Sequence, residues 1–187
     1  MSASFETSRP QTFDEDVILV ERVLSGDQEA FQTLYANYHD KVFAIARGIL
    51  LETEEAADAV QEIFTLVFRN LARFDRRSKF STWLFRIAVN RSIQQARRMK
   101  GRKSQVPLSE AHDRAMPADE EVFDEPQIAE AMAKLHPADR AILTLFYWDE
   151  LTLQEIAESL NCSANAAKTR LFRARERFRH IYEEVNR

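Results

Sequence analysis

An all-α protein of two small helical domains is the fold class this sequence predicts, on three observations. Apolar residues recur at intervals of three and four along most of the chain. Only three glycines and five prolines occur in 187 residues, so few turns or kinks interrupt those patterns. Helix-start residues stand ahead of the periodic stretches, at Asp27, Thr53, Ser81, Thr152 and Ser163.

Residues 1–16 mix Ser, Thr, Pro, Gln and acids without periodicity and read as a disordered tail. A first domain then spans 17–103. Val17, Ile18, Val20, Val23 and Leu24 form a short helix ending near Ser25-Gly26. Asp27 caps a longer one with its apolar stripe at Phe31, Leu34, Tyr35, Tyr38, Val42, Phe43, Ile45, Ala46, Ile49 and Leu50, a pattern that packs inward. Thr53, Glu54 and Glu55 suit the positive end of a third helix, whose core stripe is Val60, Ile63, Phe64, Val67, Phe68 and Leu71. Its other face carries Asp58, Gln61, Glu62, Thr65 and Arg69 as a continuous polar ridge. By spacing alone that ridge is either a solvated face or a docking surface.

The segment from Arg73 to Lys103 interleaves Phe74, Phe80, Trp83 and Phe85 with Arg73, Arg76, Arg77, Lys79, Arg86 and Arg91. Cations neutralise phosphates and aromatic faces stack on unpaired bases, so this composition suits single-stranded or melting DNA. Phe80, Leu84 and Ile87 read as core. The loop of Arg73, Asp75, Arg76, Arg77 and Ser78, ahead of a helix capped near Ser81, is a natural pocket for an extruded base. Residues 104–126 hold three of the five prolines and the acids Asp119, Glu120, Glu121, Asp124 and Glu125, an acidic linker.

The second domain spans 127–187. Helices resume with Ile128, Met132 and Leu135, break at Pro137, and continue through Ile142, Leu143, Leu145 and Phe146. Then comes a helix-turn-helix. Thr152 and Glu155 make a capping box, and Leu153, Ile156, Ala157 and Leu160 share a face. Asn161 tolerates the left-handed turn, and Ser163 caps the second helix. That helix buries Ala167, Leu171, Ala174 and Phe178 and carries Lys168, Arg170, Arg173, Arg175, Arg177 and Arg179 against the single acid Glu176. A packed face with a cationic face behind a tight turn places side chains in a major groove.

Charge sharpens this division. The net charge is -4, yet residues 67–103 hold twelve cations and one acid (+11), between 1–66 at -9 and 104–139 at -7; 140–187 stand at +1. DNA contacts at two places, with other partners at the acidic faces, follow from that asymmetry. A single cysteine, Cys162, excludes an internal disulfide or a Cys-rich metal site and reads as a small buried hydrophobe. No apolar run is long enough for a membrane span or a secretory signal, so the expected compartment is the cytoplasm. None of His39, His112, His136 and His180 has a Glu three residues before it, so the Glu-x-x-His pattern of helical carboxylate metal sites is missing. No catalytic, metal or cofactor site is expected.

The succession DAVQEIFTLVFRNLARFDRRSKFSTWLFRIAVNRSIQQARR, a Pro-containing linker, then LHPADRAILTLFYWDELTLQEIAESLNCSANAAKTRLFRARER resembles bacterial sigma factors of the sigma-70 family, extracytoplasmic-function group. The resemblance implies a factor that directs RNA polymerase core, its beta-prime and beta subunits, to promoter DNA under the control of an anti-sigma factor. It assigns Asp58, Gln61 and Glu62 to polymerase docking. It places Arg73, Arg76, Arg77, Ser78, Lys79, Trp83, Arg86, Asn90 and Arg91 in the part that reads and opens the minus-10 element. Lys168, Thr169, Arg170, Phe172 and Arg173 match the recognition helix for the minus-35 element. Where family members commonly have Gly-Thr-Val, this chain has Asn165, Ala166 and Ala167. The alternative is a helix-turn-helix regulator that binds duplex DNA without polymerase, which leaves the basic aromatic block unexplained.

Overall fold

The computed structural model describes residues 13–103, 125–147 and 151–187. They form α1 (Phe13–Leu24), α2 (Gln28–Leu50), α3 (Thr53–Asn70), a 3-10 turn at Leu71–Arg73, α4 (Phe80–Lys103), α5 (Pro126–Lys134), α6 (Pro137–Tyr147), α7 (Leu153–Ser159) and α8 (Ala164–Val185). Among the described residues there is no strand.

The capping chemistry is largely as expected. Asp27 Oδ1 accepts the backbone N–H groups of Glu29 and Ala30 at 3.0 and 3.2 Å, and Gly26, at φ +95°, makes the left-handed turn before it. Thr152 and Glu155 close a capping box on α7, Asn161 adopts φ +50°, and Ser163 Oγ accepts the Ala166 N–H at 3.2 Å. Two starts differ. Thr53 is already inside α3, which is preceded by Glu52 with no side-chain cap, and α4 begins at Phe80, one residue ahead of Ser81. Helix α1 reaches back to Phe13, four residues inside the expected tail. Its Asp16 is buried and accepts the Tyr38 hydroxyl at 2.5 Å, an anchor that periodicity does not reveal. Residues 1–12 of the tail, and the expected linker up to residue 124, lie outside the described residues; Pro126 serves as the first residue of α5, where its missing N–H costs nothing.

In the first unit, Val42, Ile45 and Ile49 of α2 close on Val60, Ile63 and Val67 of α3 and on Phe80, Leu84 and Val89 of α4. The second unit closes around Met132, Ile142, Leu145, Ile156, Leu171 and Ala174. These two sets merge into one continuous core. Helix α6 lies on α2, and α7 lies on α4. The α2–α6 approach is close because Gly48 has no side chain: a Cβ there would stand 2.5 Å from Thr144 Oγ1.

Candidate nucleic-acid interface

Three surfaces carry the residues singled out from the sequence. On α3, Asp58, Gln61 and Glu62 are all exposed, because the apolar period of three and four buries Ala59, Val60 and Ile63 on the opposite side. Helix α3 is tied to α4 at two points. Arg91 donates through Nε and Nη2 to Glu62 Oε2. One turn on, Gln95 Nε2 donates to the Glu55 carboxylate at 2.5 Å and to its carbonyl at 3.1 Å.

The second surface is the loop before α4 and the first turns of that helix. Of its four rings, Phe74, Phe80 and Phe85 are buried, which removes them as stacking platforms; their role is to hold the loop on the core. Trp83 stays half-buried, 5.6 Å from Phe74 and 5.9 Å from Phe80 between ring centres. It lines a groove of about 340 Å³ together with Arg73, Asn90, Arg91, Asn70 and Gln94. Asn70 and Gln94 escaped the sequence reading; their only signal was a polar face on α3 and α4 at helical spacing. Arg76 takes φ +61° and reaches back to Glu21 of α1 at 2.8 Å. The Arg77 N–H donates to Asp75 Oδ1 at 3.2 Å, and Ser78 is half-buried.

Lys79 and Arg86 turn away from this groove. Lys79 Nζ bonds Glu155 Oε1 at 2.8 Å, and Arg86 Nε donates to the Glu158 carbonyl near the end of α7 at 3.1 Å. The Lys79 ammonium lowers the Glu155 carboxyl below its ordinary value, and Glu155 in turn raises the ammonium. A helix C-terminus carries partial negative charge, so Arg86 fits where it lies.

The third surface is α8. Lys168, Thr169, Arg170, Phe172 and Arg173 are exposed, with Phe172 63% accessible. Thr169 Oγ1 bonds the Asn165 carbonyl at 3.0 Å, a back-bond within the helix. Two other cations of the helix serve the fold. Arg175 lies over Phe146 at 4.6 Å, and Arg177 bonds both oxygens of Asp139 at 2.8 Å. Cys162 is half-buried in the turn. No group of three or more potential metal ligands occurs among the described residues, and none of their helices is long and apolar enough to cross a membrane.

A helix-turn-helix unit packed on a helical unit whose basic groove carries one indole defines a two-part DNA-binding protein. Family models match both parts in order: Sigma-70 region 2 over residues 34–102 and Sigma-70 region 4 over 126–178. The ECF RNA polymerase sigma factor SigW of Bacillus subtilis is 35% identical over 173 residues, covering 86% of this chain and 92% of that protein. The ECF RNA polymerase sigma-E factor of Escherichia coli K12 is 34% identical over 176 residues, covering 86% and 91%. CnrH, solved in complex with the cytosolic domain of CnrY, superposes with a TM-score of 0.68 at 25% identity, covering 91% of this chain and 99% of that one. The sigma factor RpoE of Bartonella quintana, solved with the anti-sigma factor NepR, shares the fold at a TM-score of 0.62 and 20% identity. This chain belongs to the extracytoplasmic-function group of the sigma-70 family of RNA polymerase sigma factors.

Proposed function

We propose that this chain brings RNA polymerase core to a subset of promoters through three separate surfaces. The α3 ridge of Asp58, Gln61 and Glu62 docks core polymerase. Arg73, Arg76, Arg77, Ser78, Trp83 and Asn90 read and open the minus-10 element. Lys168, Thr169, Arg170, Phe172 and Arg173 enter the major groove at the minus-35 element. Its role is recognition without catalysis, its compartment is the cytoplasm, and an anti-sigma factor holds it until needed, as the complexes of CnrH and RpoE suggest.

The observation that carries this reading is the groove at the α3–α4 junction. One half-buried indole lines it together with Arg73 and Asn90, which is the combination of a stacking face, a phosphate contact and a base-edge hydrogen bonder that an unpaired strand requires. Lys79 and Arg86 belong to the same DNA-facing set but are held by α7 in the packed form. The helix-turn-helix unit therefore leaves α4 before the minus-10 face is complete. Free protein binds promoter DNA weakly, and core polymerase, by setting the two units at promoter spacing, turns two weak contacts into one strong one.

Run-off transcription by core polymerase with and without the protein tests this. New, specific transcripts that disappear with Trp83→Ala, and with Asp58→Ala plus Glu62→Ala, are the expected result. Tight duplex binding by the free protein with no polymerase-dependent initiation would transfer the chain's role to that of a plain helix-turn-helix regulator.

A further inference from the structure

Glu62 and Arg91 fall on two different proposed surfaces, the polymerase-docking ridge and the minus-10 groove, yet they are bonded to each other. Both donors of Arg91 converge on the single oxygen Oε2 of Glu62. The Glu62 side chain is 53% exposed whereas that of Arg91 is only 12% exposed. The loop arginine Arg77 differs: it is 89% exposed and gives up only a 3.5 Å contact with the exposed Asp75 carboxylate to meet a phosphate. For Arg91 to reach a phosphate it must give up two charge-assisted bonds and expose a carboxylate that then has no cation. Neighbouring structure reinforces the hold. Gln95, one turn further along α4 and buried, bonds both the carboxylate and the carbonyl of Glu55 through Nε2, so α4 grips the docking helix at two successive turns.

We propose that Arg91 is a positioning residue for the polymerase-docking face and not a DNA contact. It fixes Oε2 of Glu62, so that the carboxylate is presented on the α3 ridge in one orientation. A carboxylate held in a single rotamer loses less conformational freedom when it meets a cation on its partner than a mobile one does. This rests on the reading of the α3 ridge as the polymerase-docking surface.

The test uses the full chain with Asp58→Ala, Glu62→Ala, Arg91→Ala, Arg91→Lys and the Glu62→Ala/Arg91→Ala double variant. Core-polymerase affinity is measured by competition. The salt dependence of binding to a forked promoter is measured with holoenzyme assembled at saturating core. Arg91→Ala is expected to weaken core binding by up to about 10-fold, the upper end of the cost of immobilising one side chain at an interface. In the double variant the loss is no greater than with Glu62→Ala alone, as for two residues acting through one contact. The slope of log affinity against log salt stays at the wild-type value. Arg91→Lys, which keeps the charge and most of the stem, folds with the core intact and shows a smaller loss of the same kind. Unchanged core affinity, an additive double variant, or a salt slope reduced by about 1, as for one lost phosphate contact, overturns the proposal. Unchanged core affinity in both Asp58→Ala and Glu62→Ala would instead remove the docking reading itself.

Discussion

Gly48 is the residue through which the packing of the two units is most directly tested. A Cβ added there stands 2.5 Å from Thr144 Oγ1 and 2.7 Å from its Cγ2, against about 3.5–4.0 Å for relaxed contacts. Thr144 is 1% exposed, so any shift of its side chain must be absorbed inside the core. Helix α6 must therefore withdraw by roughly 1 Å, a kind of overpacking that costs about 1–3 kcal/mol. The same Gly48→Ala change favours α2 itself by about 1 kcal/mol, since Ala is the best helix former and Gly among the worst. The two effects act on different equilibria: the first unit is strengthened while its contact with the second is weakened. Loss of about 1–3 kcal/mol from the packed form raises the affinity of the free protein for a single-stranded minus-10 oligonucleotide by about 5- to 150-fold. Fluorescence anisotropy on a labelled oligonucleotide reads this, with hydrogen exchange on α6 reporting the packing. Gly101→Ala is the control, because a Cβ at that exposed helical position meets nothing within 4 Å. If Gly48→Ala behaves as Gly101→Ala does, with affinity and α6 exchange unchanged, the close approach does not hold the units together.

Three further outcomes are expected. Thr152→Ala removes the capping box of α7 and lowers stability by about 0.5–2 kcal/mol, read as a shift in urea midpoint. Because Glu155 also serves Lys79, the loss grows in a Thr152→Ala/Lys79→Ala double variant by less than the sum of the two. Phe172→Ala, at an exposed position, leaves the urea midpoint within about 0.5 kcal/mol and weakens holoenzyme binding to a promoter carrying a minus-35 element. Asp16 is held above its ordinary value of 3.8, burial outweighing the Tyr38 hydrogen bond. The folded state thus keeps that proton to higher pH than the unfolded chain, and stability falls as pH rises from the unfolded to the folded value. Asp16→Asn removes this component, so its urea midpoint declines less than the wild type's across that interval; equal declines would assign the slope to other groups.

Helix existence, most caps and most of the apolar stripes were legible in the sequence because each depends on neighbours within four residues, though Phe68, expected in the core stripe of α3, is 57% exposed. Asp27, the Thr152–Glu155 box, Asn161 and Ser163 each act within one turn, so their chemistry needs no tertiary context. The cationic face of the second helix-turn-helix helix was legible as a charge pattern, but its division was not. Arg175 and Arg177 face Phe146 and Asp139 across a helix interface, and local spacing carries no information about which cations face a neighbour. The aromatic block shows the same limit: Phe74 and Trp83 both sit among arginines in the sequence, and only packing separates the buried ring from the accessible one.

By itself the sequence determined an all-helical chain of two units, a helix-turn-helix with a basic second helix, a polar ridge on α3 and a basic aromatic segment between them. The tertiary structure alone decided that Gly48 lets α6 lie on α2, that Lys79 and Arg86 are engaged by α7, and that Arg91 belongs to Glu62. The reason is physical. Periodicity and capping are set by backbone geometry over a few residues, whereas an ion pair such as Glu62–Arg91, 29 residues apart, exists only once two helices have chosen their crossing.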